Sequence, residues 1–121
     1  MTDLVVDDNS LNREVLSNYL SLLDTTTEHA SNGLEALECI SDKTYRIIWL
    51  DLKMPKMSGI EFAKKARENG YKGIIVATTG YVDNEHKQQC RDAQINIMMG
   101  KPYKFNSIES IVKKVKTKLN I

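Results

Sequence analysis

The chain has 121 residues, of which 41% are hydrophobic and 27% charged, the size and composition of one globular domain that buries roughly two-thirds of its unfolded surface without staples. With 17 Lys and Arg against 16 Asp and Glu, the net charge of +1 argues against general nucleic-acid binding. No apolar run approaches the ~20 residues of a membrane span, and an acidic start is unlike a signal peptide, so no membrane insertion is expected. Cys39 and Cys90 lie far apart in helix-like stretches and fit neither a disulfide framework nor a metal cluster. A reduced, cytoplasmic, single domain over residues 1–121 is the expectation, with no linker, repeat or effector domain.

Two kinds of segment alternate along the chain. Leu4-Val5-Val6 reads as a first strand, followed by a helix with Leu11, Val15, Leu16, Tyr19, Leu20 and Leu23 on one face. Thr25 to Ala30 is the most polar β-type run and reads as an edge strand. Behind Asn32-x-x-Glu35, which resembles a capping box, Leu34, Leu37 and Ile40 mark a second helix. Ile47 to Leu50 and Ile74 to Ala77 are apolar at every position, as suits strands buried on both faces of a parallel sheet. Between them, a Ser58-x-x-Glu61 capping box opens a helix to Asn69, with Gly70 placed to end it. The stretch Asp83 to Ala93 has only Cys90 and Ala93 as apolar anchors, so its helix should be the most mobile element. Ile95 to Met99 reads as the fifth strand. A last helix is expected to start at Asn106-x-x-Glu109 and to bury Ile108, Ile111, Val112, Val115 and Leu119, leaving its lysines as a solvated face. Five βα units with right-handed crossovers make an open, doubly wound parallel sheet with helices on both faces.

In such a sheet, ligands bind beyond the carboxyl ends of the strands. There the chain places Asp7-Asp8 after strand one, Asp51 after strand three, Thr78-Thr79-Gly80 after strand four and Lys101-Pro102 after strand five. Three converging carboxylates repel one another, and a hard divalent cation with oxygen ligands relieves that repulsion. A spare carboxylate beside such a cation is a nucleophile for a phosphoryl group, whose oxygens a lysine and a threonine hydroxyl then stabilise. Each residue alone has a plainer reading: an aspartate capping a helix, Asp51 opening a turn before Pro55, Lys101 a surface lysine, Thr79 an ordinary strand residue. Those readings leave unexplained why all of them end strands on one edge.

The residues that carry this pattern resemble the receiver domain of two-component response regulators and hybrid histidine kinases. The resemblance runs through Leu4-Val5-Val6-Asp7-Asp8-Asn9, Asn32-Gly33-x-Glu35-Ala36-Leu37, Asp51-Leu52-x-Met54-Pro55-x-Met57-x-Gly59, Thr79-Gly80 and Lys101-Pro102, and the intervals between Asp51, Thr79 and Lys101 are also the family's. It implies a flavodoxin-like receiver fold, strand order 2-1-3-4-5, that order being the one the general description of this fold gives for a chemotaxis receiver. It implies Asp51 as phosphoacceptor and Mg²⁺ (or Mn²⁺) held directly by Asp8, Asp51 and the Lys53 backbone carbonyl, and by Asp7 mainly through water. Thr79 and Lys101 would contact the phosphoryl group, with Thr78 ranked behind Thr79. Gly80 would leave room for the phosphate, and Lys101-Pro102 would be cis. The implied partners are a histidine kinase or histidine phosphotransfer protein as donor and a downstream protein target that reads the helix 4–strand 5–helix 5 face. The domain would be no enzyme beyond its own phosphorylation and dephosphorylation. Asn12-Arg13 leans toward the receiver of a hybrid kinase, which would make it the cytosolic part of a larger protein.

The sequence departs from the family in two places. Three residues before Lys101 stands Met98, where the family has an aromatic that turns inward on activation; a thioether fills the same gap but offers no phenol. Gln94 replaces a small Gly before strand five. Lys53 and Tyr81, two residues after Asp51 and Thr79, are expected to overhang the pocket and slow hydrolysis of the phosphate. Other classes fit less well. An aspartyl-phosphate phosphatase of the haloacid-dehalogenase type needs a second Asp where Lys53 stands, and a flavodoxin needs a phosphate-binding loop where Asp7-Asp8-Asn9 would repel the ligand. A receiver-shaped interaction module without phosphorylation is the alternative that survives.

Overall fold

A computed structural model describes residues 1–80 and 83–119. Ten elements alternate: β1 (Thr2–Val6), α1 (Ser10–Ser21), β2 (Thr26–Ala30), α2 (Gly33–Asp42), β3 (Ile47–Asp51), α3 (Gly59–Glu68), β4 (Ile74–Thr79), α4 (Asn84–Asp92), β5 (Ile97–Gly100) and α5 (Phe105–Leu119). All strand pairs are parallel and the order is β2-β1-β3-β4-β5, which makes the polar β2 an edge strand. Every residue of β3 and β4 is buried, as their unbroken apolar runs require. Alternation along the strands divides the core into two layers. Leu4, Val6, Ile48, Leu50, Ile75 and Ala77 pack with Ala36, Phe62, Ala63, Ala66 and Cys90 from α2, α3 and α4. Val5, Ile47, Trp49, Ile74 and Val76 pack with Leu16 and Leu20 of α1 and Ile108, Ile111, Val112 and Val115 of α5.

Local chemistry sets the helix ends. Asn9, rather than either aspartate before it, caps α1 by accepting from the Asn12 N–H. At α2 the Asn32 side chain accepts from the Glu35 N–H, but the Glu35 carboxylate returns to Ser31 instead of Asn32, so the box is displaced by one residue. The Ser58–Glu61 box closes in both directions, and Gly70 takes the left-handed φ of 92° that ends α3. One helix start differs from expectation. α5 begins at Phe105, and the Lys104 carbonyl accepts from Ser107 and Ile108, so Asn106 lies inside the first turn instead of capping it. The Phe105 ring packs edge-on against Tyr19 at 5.7 Å between centroids, and this tertiary contact draws the first turn two residues earlier.

In α4 Cys90 alone is buried, with Ala93 buried at its C-cap, so the helix has the few anchors its sequence announces. Gln94 holds a left-handed φ of 59°, a conformation costly for a side chain with a Cβ. The Arg67 guanidinium grips its carbonyl through Nε at 3.1 Å and an outer nitrogen at 2.9 Å, which compensates for the missing glycine. Met98 is partly buried against the α2–α4 layer. Among the described residues no helix is long and apolar enough to cross a membrane.

Candidate phosphoacceptor and metal site

Strand register builds the site. Val6 pairs with Leu50 across β1 and β3, so Asp7, the next residue, comes level with Asp51. Asp51 pairs with Thr78, and Thr79 pairs with Gly100. Lys101 follows, its N–H donating to the Thr79 carbonyl at 2.8 Å. The Lys101–Pro102 peptide is cis, as the sequence led us to expect.

Asp7, Asp8 and Asp51 bring ligand oxygens within 4.8 Å of one another; Asp7 and Asp51 are buried and Asp8 is exposed. The Lys101 ammonium donates to Asp51 Oδ1 at 3.1 Å and to Asp7 Oδ2 at 3.4 Å. Burial first, and then the negative charge of Asp7, push the Asp51 carboxyl above its ordinary value, while Lys101 and the Lys53 N–H pull it back down. Three oxygen donors crowded in this way, two of them withdrawn from water, fit a hard divalent cation such as Mg²⁺.

Asp7 is almost fully committed to the protein. Its Oδ1 accepts from the Asn9 N–H at 2.9 Å, and its Oδ2 accepts from Lys101 and from the Tyr103 hydroxyl at 3.2 Å. Its backbone carbonyl accepts from Arg13 at 2.6 Å. The exposed carboxylate of Asp8 is the one turned to solvent. This division suits the pairing of one direct ligand with one that acts through water.

Thr78 and Thr79 are both buried at the end of β4 and, by strand alternation, address opposite faces of the sheet. Thr78 bears on the Tyr103 phenol. Lys53 is exposed in the loop after β3, and Tyr81 lies outside the described residues. Tyr103 is a site residue that sequence reasoning missed. Its pKa is raised by burial above all, with the charges of Asp7 and Asp51 adding to it. A tyrosine two residues past Lys101 was the available signal, but in a loop it reads as an ordinary surface aromatic.

Comparison with known proteins places this geometry. The family model described as response regulator receiver domain matches residues 4–113. Hybrid signal transduction histidine kinase L of Dictyostelium discoideum is 36% identical over 119 residues, covering 92% of this chain, which spans 7% of that kinase. Two-component response regulator 24 of Arabidopsis thaliana is 31% identical over 116 residues, covering 95% of this chain and 84% of that protein. Among solved structures, the response regulator TrrA of Thermotoga maritima in complex with Mg²⁺-BeF is similar with a TM-score of 0.85 and 30% identity, covering 94% of this chain and 97% of that one. With that family model matching most of its length and the strand order that goes with the fold, the chain belongs to the response regulator receiver domains of two-component signalling.

Proposed function

We propose that this receiver is a phosphoacceptor switch in a two-component system or phosphorelay. A phosphohistidine on a histidine kinase or phosphotransfer protein donates to Asp51: the phosphorus–nitrogen bond breaks, a bond to an Asp51 carboxylate oxygen forms, and the imidazole leaves. The carrying observation is the buried Asp51 carboxylate held 3.1 Å from the Lys101 ammonium beside two more carboxylates. Asp8, Asp51 and the Lys53 backbone carbonyl would hold Mg²⁺ directly, and Asp7 through water. When bound, the ion offsets negative charge on the carboxylates and the transferring group. Lys101 orients Asp51 and pairs with the phosphoryl oxygens, and Thr79 donates its hydroxyl to them. The Mg²⁺-BeF complex of the Thermotoga relative supports this assignment.

The output is a change in the α4–β5–α5 face that alters binding of a downstream protein. The sparse anchoring of α4 supports this, since switching elements come from the less stable parts of a fold. The protein acts in the cytoplasm, alone or as the cytosolic part of a larger kinase.

Incubation with a small phosphodonor is expected to add the mass of one phosphoryl group to the wild type only when Mg²⁺ is present, and none to Asp51→Ala. A wild type that stays unmodified with the small donor, and again with a phosphorylated histidine partner, would favour the interaction-module reading. The phosphoryl group is further expected to be long-lived, because Lys53 and Tyr81, two residues after Asp51 and Thr79 in sequence, are the side chains expected to hinder in-line water. Lys53→Ala and Tyr81→Ala should each shorten its half-life several-fold, and unchanged half-lives would remove this kinetic assignment.

A further inference from the structure

Tyr103 joins the hydrophobic core to the acidic site. Its ring packs against the layer between the sheet and α1 and α5, while its hydroxyl donates to Asp7 Oδ2 at 3.2 Å. The Asp7 side chain is 1% exposed, so its orientation is set by protein donors and not by bulk water. Those donors differ in kind. The Asn9 N–H on Oδ1 belongs to the backbone. Lys101 is shared with Asp51 and lies nearer to it, at 3.1 Å against 3.4 Å. Among the described residues Tyr103 bonds no other carboxylate, and its phenol has a single proton to give, on a ring with only two side-chain torsions. It is also neutral. A second ammonium at this place would oppose a divalent cation, whereas a phenol steadies the carboxylate without that repulsion.

We infer that Tyr103 is a positioning residue for the metal centre: by donating to Asp7 Oδ2, it holds the Asp7 carboxylate in the orientation from which it meets Mg²⁺ through water, leaving direct ligation to Asp8 and Asp51. This rests on the assignment of the acidic triad as the Mg²⁺ site. Groups that orient a ligand from behind commonly matter about as much as weak ligands do, and their loss costs about 10- to 100-fold in metal affinity.

Titration calorimetry of Mg²⁺ into the unphosphorylated protein tests this without any phosphoryl chemistry. Tyr103→Phe keeps the half-buried ring and removes only the hydroxyl, so its melting temperature in chelator is expected to match the wild type. Its Mg²⁺ affinity is expected to fall about tenfold. In an Asp7→Asn background the same change should have less than a twofold effect, because Tyr103 acts through the Asp7 carboxylate. Equal Mg²⁺ affinity in wild type and Tyr103→Phe would overturn the role of Tyr103 and leave the metal site standing. An equal loss in the Asp7→Asn background would do the same by exposing a general structural effect. A wild type that binds no Mg²⁺ would overturn the metal assignment itself and this role with it.

Discussion

Replacing Arg46 by alanine is expected to destabilise the domain by about 3–5 kcal/mol, because it strands a buried carboxylate. The Asp3 side chain is 0% exposed and the Arg46 side chain 1%. Arg46 meets Asp3 with two parallel bonds, Nε to Oδ1 at 3.0 Å and an outer nitrogen to Oδ2 at 2.8 Å. The same outer nitrogen donates to the Thr25 hydroxyl at 3.0 Å, and the Trp49 indole donates to Asp3 Oδ2, also at 3.0 Å. The network therefore clamps β1, β3 and the start of β2 at the amino-terminal edge of the sheet. Without the guanidinium, Asp3 keeps the single indole N–H and no route to water. Urea unfolding and calorimetry should register the loss, with the melting temperature falling by roughly 10–20 °C. Asp3→Leu combined with Arg46→Met removes both charges and should recover most of the stability, the residual loss being the unpaired Trp49 N–H. A loss below about 1 kcal/mol for Arg46→Ala would mean that water reaches Asp3 and that the pair carries little. Protein that remains folded should still accept a phosphoryl group, since Arg46 sits at the opposite end of β3 from Asp51.

Gly59→Ala is expected to damage stability and phosphoryl acceptance together. A Cβ at this position would lie 2.3 Å from the Asp51 carbonyl oxygen and 2.8 Å from the Leu52 Cα. Both are backbone atoms, so no side-chain rotamer relieves the clash. The Gly59 N–H also donates to the Leu52 carbonyl at 3.0 Å, which seats the first turn of α3 directly on the chain that carries the phosphoacceptor. An alanine must lift α3, whose Phe62, Ala63 and Ala66 are all 0% exposed, or displace Asp51. Overpacking of this kind costs about 1–3 kcal/mol, and the backbone origin of the clash puts Gly59 at the upper end. The phosphorylation rate of the folded fraction should fall as well, because Asp51 moves relative to Lys101 and its fellow carboxylates. Gly80→Ala is the stability control, since among the described residues a Cβ there meets nothing within 4 Å; it should leave the melting temperature within ~2 °C of the wild type. Equal stability of Gly59→Ala and Gly80→Ala would refute the close approach of α3 to Asp51.

Much of this was legible in the chain because it depends on local pattern. The continuous apolar runs of Ile47 to Leu50 and Ile74 to Ala77 could only be buried on both faces, and the polar Thr26 to Glu28 only at an edge. Ser58 and Glu61 made their capping box because both partners lie within one turn. Asp7, Asp8, Asp51 and Lys101 could be assigned to one rim because each follows a strand directly, and parallel strands share one carboxyl edge.

What stayed hidden depends on groups distant in sequence. Asp3 reads as one more acid near the start, and nothing local ties it to Arg46, 43 residues away. Asn106 has the spacing of a helix cap, yet the packing of Phe105 on Tyr19 starts α5 two residues earlier. Tyr103 looks like an exposed loop aromatic until the sheet brings it against Asp7, 96 residues away. The alternation of elements, the edge and central strands and the chemistry collected at the carboxyl edge follow from the residue pattern alone, because periodicity and strand direction are properties of short segments. Which donors hold Asp7, which charges pair inside the core and how closely α3 presses on Asp51 follow from the folded packing, because those distances exist only once the sheet has brought remote segments together.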